Sequence, residues 1–93
     1  MNPKVTSVRA LANYRLHLTF TNGEQRIFDV SPYLDKGVFR QLRDSSRFEA
    51  AKVVVGSVEW PGEIDLSYDT LYLDSVSVSL QPKENGEELR ERT

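Results

Sequence analysis

The sequence predicts an α+β fold: a small antiparallel sheet with an N-terminal β-hairpin, one face covered by short helices. Three stretches carry that prediction. "YRLHLTF", "NG" and "EQRIFDV" (14–30) read as strand, tight turn and strand. "SPYLDKGVFRQLRD" (31–44) breaks the alternation with helix-start chemistry. "DSVSVSLQ" (74–81) alternates once more.

"VTSVRALA" (5–12) reads as a first strand. In the second, Tyr14, Leu16, Leu18 and Phe20 alternate with Arg15, His17, Thr19 and Thr21. Asn22-Gly23 suits a two-residue type I′ turn, because both positions accept positive φ. Such a turn sets Thr21 opposite Glu24, Leu18 opposite Ile27, His17 opposite Phe28 and Leu16 opposite Asp29. The expected core face then holds Tyr14, Leu16, Leu18, Phe20 and Ile27. Phe28 and Val30 fall on the other face.

Ser31 is expected to cap a short turn, with Pro32 at its first position. Gly37 supplies a left-handed exit. A second helical segment follows, with Phe39 and Leu42 inward at i, i+3 spacing. "SRFE" (46–49) fits a capping box, Ser46 at N-cap and Glu49 at N3. "AKVVVGSVEW" (51–60) reads as one or two strands bent at Gly56, and Pro61-Gly62 as a loop. "EIDLSYDTLYL" (63–73) fits either a strand or a helix starting near Ser67. Over 75–80, Val76, Val78 and Leu80 are expected inward and the serines outward.

Ninety-three residues are expected to make one domain over 1–82, with the polar stretch 83–93 as a disordered tail. A chain this size buries roughly 60–65% of its unfolded surface, so a deep substrate cavity is not expected. There is no Cys, which removes disulfides and thiolate chemistry and fits a cytoplasmic protein. The first 14 residues lack the apolar run of a secretion signal. No apolar run exceeds three residues, as in "VVV" at 53–55, so no membrane span is expected.

The net charge of −2 is unevenly laid out. Residues 1–52 carry a balance of +4, whereas 53–82 carry Glu59, Glu63, Asp65, Asp69 and Asp74 with no base. That asymmetry either pairs within the fold or favours a complementary partner, including a second copy. A homodimer through an edge strand such as 75–80 is one expected form.

Chemistry does not assemble readily. His17 is the one histidine and has no nucleophile or orienting acid beside it in the expected register. Asp29 is expected to cap the turn that follows it. Glu63, Asp65 and Asp69 form the densest acidic group, read as a solvated face or, less simply, as a weak cation site. No phosphate-binding glycine pattern is present, and no cofactor is expected. Arg40, Arg43 and Arg47 would line one helix face, but interleaved acids argue against nucleic acid. Trp60, the one tryptophan, is either an exposed recognition aromatic or part of the core.

"NGEQRIFDVSPYLDKGVFRQLRD" (22–44) and "VEWPGEIDLSYDTLY" (58–72) together resemble the bacterial family known as domain of unknown function 2442. The resemblance covers about residues 4–74. The family often has Pro before Asp-Thr-Leu-Tyr, where this chain has Tyr68. The resemblance implies a small α+β domain with no catalytic residues. It also implies an accessory setting, beside a helix-turn-helix domain or in a toxin–antitoxin-like pair. The expected function is therefore non-enzymatic protein binding. The expected surface comprises Trp60, Pro61, Glu63, Asp65, Asp69, Tyr72, Arg40 and Arg43. The alternative is a small enzyme or a ligand- or metal-binding domain using the acidic segment 59–74.

Overall fold

The structure is a computed structural model and describes residues 1–78. Two antiparallel sheets and a few short helices make an α+β fold. The first sheet has the order β1-β2-β3-β7, from β1 (Val5–Leu11), β2 (Arg15–Phe20), β3 (Gln25–Asp29) and β7 (Val76–Ser77). The second has the order β4-β5-β6, from β4 (Lys52–Val54), β5 (Ser57–Trp60) and β6 (Ile64–Leu66). Helices α1 (Ser45–Phe48) and α2 (Tyr68–Leu73), and 3₁₀ turns at Ala12–Tyr14, Ser31–Tyr33 and Gly37–Arg43, complete it. The expected tail at 83–93, with Ser79 and Leu80, lies outside the described residues.

The N-terminal hairpin forms, but one residue out of the expected register. Leu16 pairs with Phe28, His17 with Ile27 and Leu18 with Arg26. The loop is Thr21-Asn22-Gly23: the Gly23 N–H donates to the Phe20 carbonyl at 2.9 Å, and the Phe20 N–H to the Glu24 carbonyl at 2.9 Å. Only Gly23 takes positive φ, +87°, as a three-residue hairpin loop requires. Packing explains the slip. It moves Phe28 and Val30 into the core at 1% and 0% exposure. Each is worth about 1.5–3 kcal/mol when fully buried, and only Ile27 leaves the core face in exchange.

The two-residue hairpin occurs elsewhere. Val54 pairs with Ser57, and Val55 and Gly56 between them have φ of +49° and +81°, the signs of a type I′ turn. The Val5 N–H donates to the Gly56 carbonyl at 2.8 Å, tying the second sheet to the edge of the first.

Asp29, not Ser31, caps the turn after β3: its Oδ1 accepts from the Ser31 N–H at 2.9 Å, and the Ser31 hydroxyl makes no cap bond. The expected capping box at Ser46 is likewise replaced. Asp44 Oδ1 accepts from the Ser46 N–H at 3.0 Å and the Ser46 hydroxyl at 2.7 Å, which holds the Asp44 carboxyl below its usual range. Gly37 has the expected left-handed φ, +47°. Ser67 caps α2, accepting from the Thr70 N–H. Tyr68 stands at the first helical position, and its N–H, which proline would lack, donates to the Ser57 hydroxyl at 3.1 Å.

The core joins both sheets and the helices: Leu16, Leu18, Phe20 and Phe28 meet Leu42, Phe48, Val58, Ile64 and Leu71. The alternation at 75–80 is inverted in the described part. Ser75 is buried, whereas Val76 is 55% exposed beside Ile27. Ser75 is drawn inward by Arg26, which stands on the core face opposite Leu18. The Arg26 guanidinium donates to the Ser75 hydroxyl at 2.6 Å and to its carbonyl at 2.7 Å.

Candidate functional site

Alternation along β5 and β6 turns Val58, Trp60, Ile64 and Leu66 inward, so Glu59 and Asp65 must face outward. Register then makes them direct neighbours in one row, Lys52–Glu59–Asp65. Asp65 is exposed and Glu59 half-buried. The adjoining loop carries exposed Pro61 and Glu63, and Glu63 sits in left-handed backbone at φ +62°. Asp69, on α2, accepts from the Asn2 amide at 3.0 Å. Among the described residues no group of three or more His, Asp or Glu side chains could hold a metal ion.

Trp60 cannot present itself on this surface. It is 2% exposed, its indole N–H donates to the Phe48 carbonyl at 2.9 Å, and its ring stacks on Phe48 at 6.3 Å. The parity of β5 that turns Glu59 outward turns Trp60 inward, and a small core uses the ring's large apolar area.

Tyr72 is partly buried and committed to a network. Its hydroxyl donates to Glu24 Oε2 at 2.7 Å, its ring meets Phe20 edge-on at 5.2 Å, and the Arg26 guanidinium lies 4.6 Å over it. Arg26 also bonds Glu24 Oε1 at 3.0 Å. The Tyr72 bond, with those from Arg26 and Asn22, holds Glu24 below the usual carboxylate range despite its desolvation. The same bond pushes the Tyr72 phenol up.

Arg40 and Arg43 stay on the outside but are partnered. Arg43 donates to the Leu34 carbonyl at 3.1 Å and pairs with Asp35, and Arg40 donates to the Asp35 carbonyl at 3.3 Å. They tie the 3₁₀ turns together rather than forming a free basic stripe.

His17 lies in the outer row Arg9–His17–Ile27, and Asp29 opposite Arg15. Neither lines the cleft of about 390 Å³ that lies between Leu11–Tyr14 and Ser31, Ser45, Phe48 and Glu49. Sequence reasoning missed this cleft. Its walls come from three separated segments, and the one local signal is Asn13, a residue type that tolerates left-handed backbone. Among the described residues, none of the lining hydroxyls of Tyr14, Ser31 and Ser45 bonds a histidine or carboxylate side chain. Among the described residues no helix is long and apolar enough to cross a membrane.

One family model, described as Protein of unknown function (DUF2442), matches residues 5–77. No curated protein and no solved structure matches the chain.

Proposed function

The chain belongs to the DUF2442 family, and on that premise we propose that it is a non-enzymatic protein-binding domain. The binding surface is the outer face of the second sheet, with Glu59 and Asp65 at its centre and Pro61 and Glu63 in the adjoining loop; Asp69, exposed on α2, is counted with it as a further acid. The partner presents a basic surface. The side-by-side placement of Glu59 and Asp65 carries this reading. Like charges directly opposite on neighbouring strands destabilise a sheet; Lys52 offsets Glu59 from its other side, which leaves Asp65 as the carboxylate that a basic partner would neutralise.

Val55 supports the same reading. It is 86% exposed at the β4–β5 tip, in backbone that disfavours a β-branched residue. Strained residues of this kind concentrate at recognition sites. An accessory or regulatory role in the bacterial cytoplasm, in a toxin–antitoxin-like or transcription-associated assembly, agrees with the family resemblance. Affinity capture of the native protein with mass spectrometry tests the proposal. A partner should be recovered at low salt, reduced at high salt, and lost with Asp65→Lys plus Asp69→Lys. A partner set unchanged by that double substitution overturns it.

A further inference from the structure

We propose that the cleft between the turn after β1 and helix α1 takes a lysine or arginine side chain presented by a peptide. A volume of about 390 Å³ suits such a side chain with part of its flanking backbone. The lining is one-sided in charge, although the Arg15 guanidinium stands at the rim, 3.5 Å from the Ala12 carbonyl. Glu49 is the only acid or base among the lining residues, and its carboxylate has no hydrogen-bond or ion-pair partner among the described residues. Its backbone N–H donates to the Ser45 carbonyl at 2.9 Å, which holds the residue in place at the end of α1.

The walls fit the rest of such a ligand. Tyr14 and Phe48 meet edge to face at 5.3 Å, and Leu11 adds aliphatic surface. Together they suit a methylene stem or a flat guanidinium. The side chains of Asn13, Ser31 and Ser45 also lack hydrogen-bond partners among the described residues. A free ammonium can only donate, whereas the exposed Asn13 amide N–H can also donate to a ligand that carries an acceptor. The carbonyls of a peptide supply acceptors. An anionic ligand would face Glu49 with no lining base to offset it.

The cleft is also built rather than incidental. Asn13 and Tyr14 both take left-handed backbone, at φ +63° and +60°. The Val30 N–H holds the Tyr14 carbonyl at 2.9 Å, and the Tyr14 hydroxyl donates to the Arg43 carbonyl. Strained residues fixed in this way recur at ligand clamps, and a wall fixed before binding loses little freedom on binding. None of the lining residues belongs to the acidic face proposed above, so the two readings stand or fall separately.

Amide NMR of the full chain, titrated with the capped tripeptide Gly-Arg-Gly, tests the assignment. Saturable shifts should centre on residues 11–14 and 45–49, with a Kd on the order of 1 mM. Glu49→Gln should weaken binding about fivefold without changing the melting temperature. The Gly-Gln-Gly and Gly-Glu-Gly peptides should not saturate the site. Absent or scattered shifts, equal binding of Gly-Gln-Gly, or indifference to Glu49→Gln would overturn the proposal. Cadaverine binding as tightly as the arginine peptide would also overturn it, in favour of free amines.

Discussion

Glu59 and Asp65 stand directly opposite each other on β5 and β6, with Lys52 opposite Glu59 on the far side. A sheet optimised only for stability would not oppose two carboxylates. Replacing Asp65 by Lys should turn the repulsion into attraction and raise stability by about 0.5 kcal/mol, or roughly 2–4 °C in melting temperature. Thermal unfolding at low and high salt checks this. The gain should shrink as salt screens the pair, and a loss of stability would show that Asp65 has a structural role.

The β4–β5 tip offers a second, larger gain. Val55 has φ +49° and packs against little, being 86% exposed. Left-handed backbone costs a residue of this kind about 1–2 kcal/mol, and Asn-Gly is the preferred pair for this turn. Val55→Asn should stabilise by about 1 kcal/mol, read as a higher urea midpoint at unchanged slope. Gly56→Ala should do the opposite, because its Cβ would lie 2.8 Å from the Lys4 Cβ in already left-handed backbone.

Trp60 reports on the core. Trp60→Phe removes the donor to the Phe48 carbonyl and should destabilise by about 1–3 kcal/mol, the range for leaving a buried polar group unpaired. As the one tryptophan, it should also fluoresce at short wavelength when folded and shift red on unfolding. Red emission from the folded protein would place the ring in water and contradict its burial.

The Glu24–Tyr72 bond makes stability depend on pH at both extremes. Glu24 titrates lower in the folded state, so its contribution is present above its unfolded pKa and lost as pH falls through the folded one. Tyr72 titrates higher, so its contribution is present below its unfolded pKa and lost as pH rises through the folded one. Tyr72→Phe should flatten the stability profile between about pH 5 and 3, and again above about pH 10. Parallel wild-type and variant profiles would show that the bond does not couple to folding.

The strands were the most legible part. Leu16, Leu18 and Phe20 announced a core face by period 2, whereas 63–73 fitted a strand as well as a helix starting near Ser67, and the caps expected at Ser31 and Ser46 are made by Asp29 and Asp44. The register of the first hairpin was not, because Asn22-Gly23 serves a two-residue and a three-residue loop alike. Only the packing of Phe28 and Val30 separates the two. Ser75 and Val76 exchanged places for a related reason: the partner that draws Ser75 inward is Arg26, 49 residues away. Of the residues named for a surface, Asp65, Glu63 and Pro61 are exposed. Trp60 is not, since strand parity is fixed by pairing with β6, which local composition does not reveal.

The most direct measurement follows Asp65→Lys on two axes: melting temperature, and affinity for the partner recovered by native capture. The predicted result is opposite signs, a melting temperature equal to or above wild type with affinity reduced at least about tenfold. A variant that melts lower, or one that binds the partner as tightly as wild type, would contradict the placement of a basic partner on the Glu59–Asp65 face.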